Sequence, residues 1–474
     1  MPARTMQDCP RELQLAIFTL LPSGDLLSLS LVSKNLHGFV EPLLVADIHL
    51  EWKKQPDHKL PPVAALLRTL LERPYLGQHC LKLRLTGMGF KTHPRGTDEE
   101  PPALPVSVLP LPAAAEHIRV IEAPGADNWL EELQAGAVDA LVALLISMLP
   151  NLISLELGPN FTLESACLGK FLRHATTCVG NRSRWLPKFP SLKHVVFAGR
   201  TNEFRHCDFN NAADVLPFFY LPSLQTMSVS IDNPVTWTWP HSDSAMPLLT
   251  SSLTSLELFR LRETRLEHLL TPLKSLKKLH WHWFYQEHLD SHASTDIVAL
   301  DVMAHALCQV HGTLMELTIE ADTEANELYG EYEDPDVQTR GSLRGLAQLA
   351  QLKLLRIPWA FLIGLSPEEA PGKITHLGAS LPSGLEVLVL TGELLSVENF
   401  DWHDGVIVGA MDLLLAEEQA SLRLPPNLKR IILPLPLYVG TLLPELQTRI
   451  DELSAQSGIK LELENIGEDG SIDE

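Results

Sequence analysis

The sequence predicts an α/β fold in two parts: a small helical module over residues 1–52 and, over residues 53–474, a long irregular solenoid built on one parallel sheet. Three observations carry this. Residues 9–52 contain two helical stretches with clustered apolar side chains, an apolar triplet spaced LxxLxL returns nine times between Leu152 and Leu433, and stretches of helical periodicity lie before, between and after the triplets. A strand period of 2 alternating with a helix period of 3.6 is the sequence mark of a strand–turn–helix repeat. Each such unit can bury its apolar face only against the next, so the units stack around one continuous core.

In chain order, CPRELQLAIFTLLPSGDLLSLSLVSKNLHGFVEPLLVADIHLEW comes first. Leu13, Ile17, Leu20 and Leu21 fall on one face of a helix opening at Pro10, which predicts a helix with a partner. Leu21-Pro22 ends it, and Ser23 and Asp25 offer oxygens to cap the next helix. That helix carries Leu26, Leu27, Leu29, Leu31, Val32 and Leu36, and is therefore apolar on more than one side. Glu41-Pro42 begins a third short helix or turn, and Ala46 to Leu50 alternates like a strand. A module of about forty residues buries too little surface to be stable alone, so something outside it must cover the remaining apolar side.

Pro10, Glu12, Leu13, Ile17, Phe18, Leu21, Asp25, Leu26, Val32, Ser33 and Lys34 stand in an order and spacing that resembles the F-box. Cys9 and Leu36 depart from the family's usual Leu and Trp, and both replacements stay apolar. The resemblance implies docking on the adaptor subunit of a Skp–cullin–F-box (SCF) ubiquitin ligase and, through it, on a cullin. Pro10, Leu13, Ile17, Leu21, Leu26, Leu29 and Val32 would then divide between packing inside the module and the adaptor groove. The alternative is a protein-interaction scaffold in which the same hairpin merely caps the solenoid's open end.

Pro61-Pro62 opens the helix VAALLRTLLERP, which Arg73-Pro74 ends, and Cys80 to Leu85 follows as a strand. This order is similar to that of fungal F-box proteins. Residues 91–112, rich in proline and acid, read as an exposed loop inserted in the second domain. The nine strand triplets are Leu152/Leu155/Leu157, Leu192/Val195/Phe197, Leu224/Met227/Val229, Leu253/Leu256/Leu258, Leu276/Leu279/Trp281, Leu314/Leu317/Ile319, Leu352/Leu355/Ile357, Leu385/Leu388/Leu390 and Leu428/Ile431/Leu433. Phrases such as LPNL, FPSL and LPSL lead into them, proline turning the chain. Helical patterns run over 137–149, 165–175, 297–310, 408–419 and 443–453.

The triplets resemble the leucine-rich repeat family. The usual Asn or Cys after the strand is absent, and successive units are separated by roughly 23 to 43 residues against the family's 20 to 29, which implies an irregular solenoid with insertions. Insertions are expected at 201–214, 232–247 and 321–339, the last an acidic loop that projects. A strand IKLEL and an acidic tail over 468–474 would close the array as a capping unit.

Function is read from what the strands display. Side chains flanking each central apolar residue share the sheet's open face: Ser154, Glu156, His194, Thr226, Ser228, Ser255, Glu257, Lys278, His280, Glu316, Thr318, Arg356 and Arg430, with some apolar neighbours. This mixed row suits a protein substrate better than a small molecule. In the run Trp281 to Tyr285, Trp281 points inward and His282 outward, and Trp283 and Tyr285 are candidates for either binding or packing. His288 and His292 stand at i, i+4 near His280, His282 and Cys308, but there is no HExxH and Asp290-Ser291 favours a loop, so no metal is assigned. Gly87-Met88-Gly89 lacks the third glycine of a dinucleotide fingerprint, and no GxSxG is present, so neither cofactor nor catalytic residues are expected.

Composition agrees with a large globular core, 45% hydrophobic and 20% charged. A net charge of −22, with only isolated basic pairs such as Lys277-Lys278, argues against nucleic acid. No apolar run approaches the ~18 residues that span a bilayer, so no membrane is expected. Six scattered cysteines without CxxC read as reduced thiols of a cytoplasmic or nuclear protein.

Overall fold

The computed structural model describes residues 9–53, 61–88, 109–162, 165–177, 186–198, 211–239, 251–286, 295–324, 335–395, 402–415, 424–437 and 441–464. Helix α1 (Arg11–Phe18) starts behind Pro10, α2 (Ser23–Val32) behind Pro22, and α3 is Lys34–Leu44. The second helix is shorter than its leucine pattern suggests. Ser33 is extended, with φ −157°, and its hydroxyl accepts the Leu36 N–H at 3.2 Å, so it stops α2 and caps α3. Neither Ser23 nor Asp25 caps α2, because Ser23 is already its first residue. Pro42, expected near the start of a third element, lies inside α3. Phe18, Leu26 and Val40 form the module's core, with Leu21, Leu29, Leu36, Phe39, Leu43 and Leu44 packed on it.

Strands β1 (Asp47–Lys53), β2 (Lys82–Met88), β3 (Ser154–Leu157), β4 (His194–Phe197), β5 (Thr226–Ser230), β6 (Ser255–Phe259) and β7 (Lys278–Gln286) follow one another in the sheet. After β8 (Ile297–Ala299) come β9 (Glu316–Glu324), β10 (Gln338–Arg340), β11 (Leu354–Pro358), β12 (Val387–Thr391), β13 (Arg430–Leu433) and β14 (Lys460–Leu463). Twelve of them make one parallel sheet in chain order, while β8 and β10 pair separately. Each of the nine triplets ends in one of these strands. Its first leucine stays ahead of the strand, buried under the turn, and the next two point into the core, as Leu276, Leu279 and Trp281 do. The register is in step from unit to unit: Leu279 faces Leu256 on one side and Leu317 on the other. Asn233, three residues past β5, donates to Arg260 O at 2.9 Å and accepts from Arg262 N at 2.7 Å, tying two turns together where no strand-end consensus Asn stands.

The described chain packs as two compact units. The first comprises residues 1–207, 213–227 and 239–244, and the second 208–212, 228–238 and 245–474. In the first, α4 (Pro62–Glu72) lies between β1 and β2, three successive helices α5 (Leu111–Val120), α6 (Ala126–Ala135) and α7 (Val138–Ser147) between β2 and β3, and α8 (Ala166–Thr177) between β3 and β4. Helix α7, VDALVALLIS, touches α4, α6 and α8, and every residue in it is buried, as a helix apolar all round requires. Its one carboxylate, Asp139, accepts the first-turn N–H groups of Cys167 at 2.6 Å and Leu168 at 3.1 Å, capping α8 from outside. Asp139→Ala strands both donors in a buried place. A loss of about 1–3 kcal/mol is expected, read as a lower urea midpoint at unchanged slope.

Helix α9 (Ala212–Val215), of which only Ala212 falls in the second unit, starts with the Ala212 N–H donating to Asp232 Oδ1 at 2.6 Å; the second unit then holds α10 (Glu263–Leu270) and α11 (Leu300–Leu307). It ends with α12 (Trp359–Leu362), α13 (Ala370–Thr375), α14 (Asp404–Leu415) and α15 (Pro444–Ser457). Three expectations are corrected. Residues 321–324 do not open a projecting loop but prolong β9, paired to Ala321↔Trp283 through Glu324↔Gln286, and 338–340 are β10. The helix expected from Ile297 begins at Leu300, because 297–299 pair with β10. The expected loop does not extend to 112, since Leu109 is buried and α5 starts at Leu111. The rest of the 91–112 loop, parts of the other insertions, the acidic tail and His288 and His292 lie outside the described residues.

Candidate functional site

The N-terminal module shows apolar side chains outward. Leu20 and Leu31 are 85% and 81% exposed, and Leu13, Leu15, Ile17, Leu27 and Val32 are exposed as well. Helix α1 turns Gln14 and Phe18 inward, Gln14 donating to Cys9 O at 2.9 Å, so the stripe Leu13, Ile17, Leu20 faces solvent. Of the residues expected to share adaptor contact, Pro10, Leu13, Ile17 and Val32 are exposed, Leu21 and Leu29 half-buried. Leu26 is 6% exposed and belongs to the module's own core, so it leaves the docking set. Helix α3 faces the other way: it touches β1 and the 3-10 turn Pro74–His79, and Glu41 receives Arg73 Nη1 at 2.6 Å and Tyr75 OH at 3.0 Å.

The sheet face carries the second set. In the first unit, Ser154 and Glu156 lie beside Lys82 and Arg84 in register, Arg84 Nε reaches Glu156 at 2.7 Å, and His194 Nδ1 lies 2.7 Å from Thr226 Oγ1. In the second unit, Ser228, Ser255, Glu257, Lys278, His280, Glu316, Thr318, Arg356 and Arg430 alternate with buried neighbours. Lys278 pairs with Glu316 at 2.7 Å, Arg430 with Glu462 at 3.4 Å, and Arg356 with Glu464 at 2.6 Å. The parallel register sets opposite charges side by side, so the face is a ladder of cross-strand pairs that a partner must lie over or displace. Arg84, Glu320, Asp322, Glu462 and Glu464 belong to the same ladder and were not singled out from sequence, Glu320 and Asp322 because β9 was read as ending early. The period-two recurrence of acid at 316, 320, 322 and 324 is the signal that finds them.

A leucine-rich repeat domain model matches residues 59–396, most of the chain. The chain belongs to the leucine-rich repeat family. An F-box domain model matches residues 6–43, so this leucine-rich repeat protein carries an F-box at its N-terminus. No curated protein sequence matches the chain. F-box domains bind Skp-type adaptors in SCF complexes, and an F-box joined to leucine-rich repeats indicates substrate recognition of the SCF type in general. Proteins of these families are typically non-catalytic adaptors. Among the described residues no helix is long and apolar enough to cross a membrane.

The repeat core also absorbs residues that looked available. Trp281 and Trp283 are fully buried, their indole N–H groups donating to Leu261 O at 2.8 Å and Glu263 Oε2 at 3.1 Å, so Trp283 is packing, and Tyr285 is half-buried. Trp237 stacks on His268, and Trp239 sets its edge against Phe219. Burial pushes the thiols of Cys80 and Cys167 up to about 12, with the charges of Asp47 and Asp139 adding to it, which holds both protonated and unreactive near neutrality.

His280 is the titratable centre of the repeat face, 3.3 Å from Glu257 and 3.1 Å from Glu320. Burial alone would lower its pKa, but hydrogen bonding and charge from Glu257 and Glu320 outweigh it and raise the value from 6.5 to about 9. A raised folded-state pKa stabilises fully below the unfolded value and loses that contribution as pH climbs through the folded one. The stability difference between wild type and His280→Gln is therefore expected to be about 1–2 kcal/mol at pH 6, after allowance for solvent screening. It should shrink steadily between pH 6.5 and 9, checked by urea titrations across that range.

Proposed function

We propose that the chain is the substrate-receptor subunit of an SCF ubiquitin ligase, with no bond chemistry of its own. The observation that carries this is the outward apolar surface of α1 and α2 on a module whose core is already filled by Phe18, Leu26 and Val40. Exposed apolar patches of this kind mark interaction sites. Pro10, Leu13, Ile17 and Val32, flanked by Leu21 and Leu29, would enter the adaptor groove, with Leu20 and Leu31 beside them. The repeat face, centred on Glu257, Lys278, His280, Glu316 and Thr318, would hold a protein substrate. The receptor then acts by proximity, raising the effective concentration of substrate lysines near the charged ubiquitin. A cytoplasmic or nuclear location goes with this reading.

The scaffold reading draws on α3, since Glu41 fastens it to Arg73 and Tyr75 as a cap would be fastened. Capping by α3 and docking by α1 and α2 use different residues, so the first does not require the second to be absent. Affinity purification of the tagged full chain from its own cells separates them. Recovery of a Skp-type adaptor with a cullin is expected; a preparation repeatedly free of both, from cells in which other F-box proteins bring them down, leaves the scaffold.

A further inference from the structure

A cavity of about 120 Å³ opens in the second unit between the turn after β10 and α13. Buried Leu343, Phe361 and Leu377 form its floor, and Ser342, Arg344, Lys373 and His376 stand around it. The chain has 59 acidic against 37 basic residues, yet no carboxylate lines this cavity and three basic side chains do. Lys373 Nζ is held by Glu369 at 2.8 Å and lies 3.4 Å from Thr339 Oγ1. Arg344 and the His376 ring have no ion-pair or side-chain hydrogen-bond partner among the described residues. The wall is pre-formed. Gly341 has φ +86°, and a Cβ there would run into Asp301 Oδ1, so the turn that presents Ser342 and Arg344 sits hard against the start of α11.

We infer that this cavity is a binding site for a phosphoryl group. Arg and Lys bring only donors and the Ser342 hydroxyl can add one more, the Ser380 hydroxyl already donating to His376 O at 3.4 Å; this set matches a tetrahedral oxyanion with several acceptor oxygens. Its volume holds about four waters, enough for one such group and far below the ~300 Å³ at which drug-sized sites begin. The group can come from a free phosphate-bearing small molecule or from a phosphorylated serine or threonine of a protein. The site uses none of the α1 and α2 residues and does not depend on adaptor binding.

The test is calorimetric titration of the full chain, at fixed ionic strength, with sodium phosphate, sodium pyrophosphate, and a Gly-Ala-Gly-phosphoserine-Gly-Ala-Gly peptide beside its unphosphorylated form. Saturable one-site binding of at least one phosphorylated probe is expected. It should weaken at least tenfold in Arg344→Gln and in Lys373→Gln, and stay unchanged in Lys193→Gln, a surface control in the other unit. Preference for the phosphopeptide assigns the site to a protein, and preference for phosphate or pyrophosphate to a small molecule. Absence of saturable binding by every probe, or affinity untouched by Arg344→Gln in a variant with wild-type circular dichroism, overturns the inference.

Discussion

Replacing Leu20 and Leu31 together by aspartate is expected to weaken capture of a Skp-type adaptor at least a hundredfold while leaving the unfolding midpoint nearly unchanged. Both side chains are exposed, so the free protein gives up no buried area, and surface changes away from caps and cores stay within about 0.5 kcal/mol. In the docking proposed above the same positions flank the groove contacts and lose their water. Truncating such anchors costs about 2 kcal/mol or more each, and a carboxylate in an apolar groove adds its desolvation. Biolayer interferometry against purified adaptor gives the affinity, and thermal unfolding gives the control. Phe18→Ala is the informative contrast: it empties the module's core, so lost capture should be accompanied by loss of helical signal.

The largest effect on stability is expected at Glu263→Ala. Arg262 is 0% and Glu263 2% exposed, and they form the described chain's most deeply buried ion pair, with Nε to Oε2 at 3.0 Å. Arg262 also donates to Thr295 O at 2.8 Å and Ile297 O at 2.9 Å, and its guanidinium lies 4.5 Å from the Trp283 ring centre. Glu263 accepts Trp283 Nε1 and the Ala299 N–H at 3.2 Å. Removing one partner leaves an uncompensated charge in the core and costs about 3–5 kcal/mol. Arg262→Met with Glu263→Gln removes both charges and should recover part of that loss, the carbonyls of Thr295 and Ile297 still lacking their donor. Equilibrium urea unfolding followed by tryptophan fluorescence measures all three proteins.

Much of the repeat architecture is legible in the sequence, because strand burial repeats locally. LxxLxL needs only a turn and a pleat, and both are written within six residues, as at Leu253 to Leu258. What stays hidden is pairing at a distance. The Ala321 to Glu324 segment looks like a solvated loop because its acids are counted alone; across the sheet Asp322 stands opposite Phe284 and Glu324 opposite Gln286 of β7, and the strand continues. Trp283 reads in the sequence as either binding or packing, and Glu263 and Arg262 at the start of α10, which pack on it, decide for packing. In the module, leucine counting overruns Ser33 because a single hydroxyl bond to Leu36 N, invisible to apolar periodicity, ends one helix and begins another. The F-box resemblance leaves Leu26 and Val32 together in a set that divides between packing and adaptor contact; only the fold separates the buried one from the exposed one.

The central claim is that α1 and α2 dock an adaptor while α3 holds the module to the repeats. Hydrogen–deuterium exchange on the full chain, alone and with equimolar purified Skp-type adaptor, addresses it directly, with light scattering for stoichiometry. A 1:1 complex with new protection confined to residues 11–32 and unchanged exchange in Lys34–Leu44 is the expected result. Two separately eluting proteins, or protection that falls on α3 instead, would contradict it.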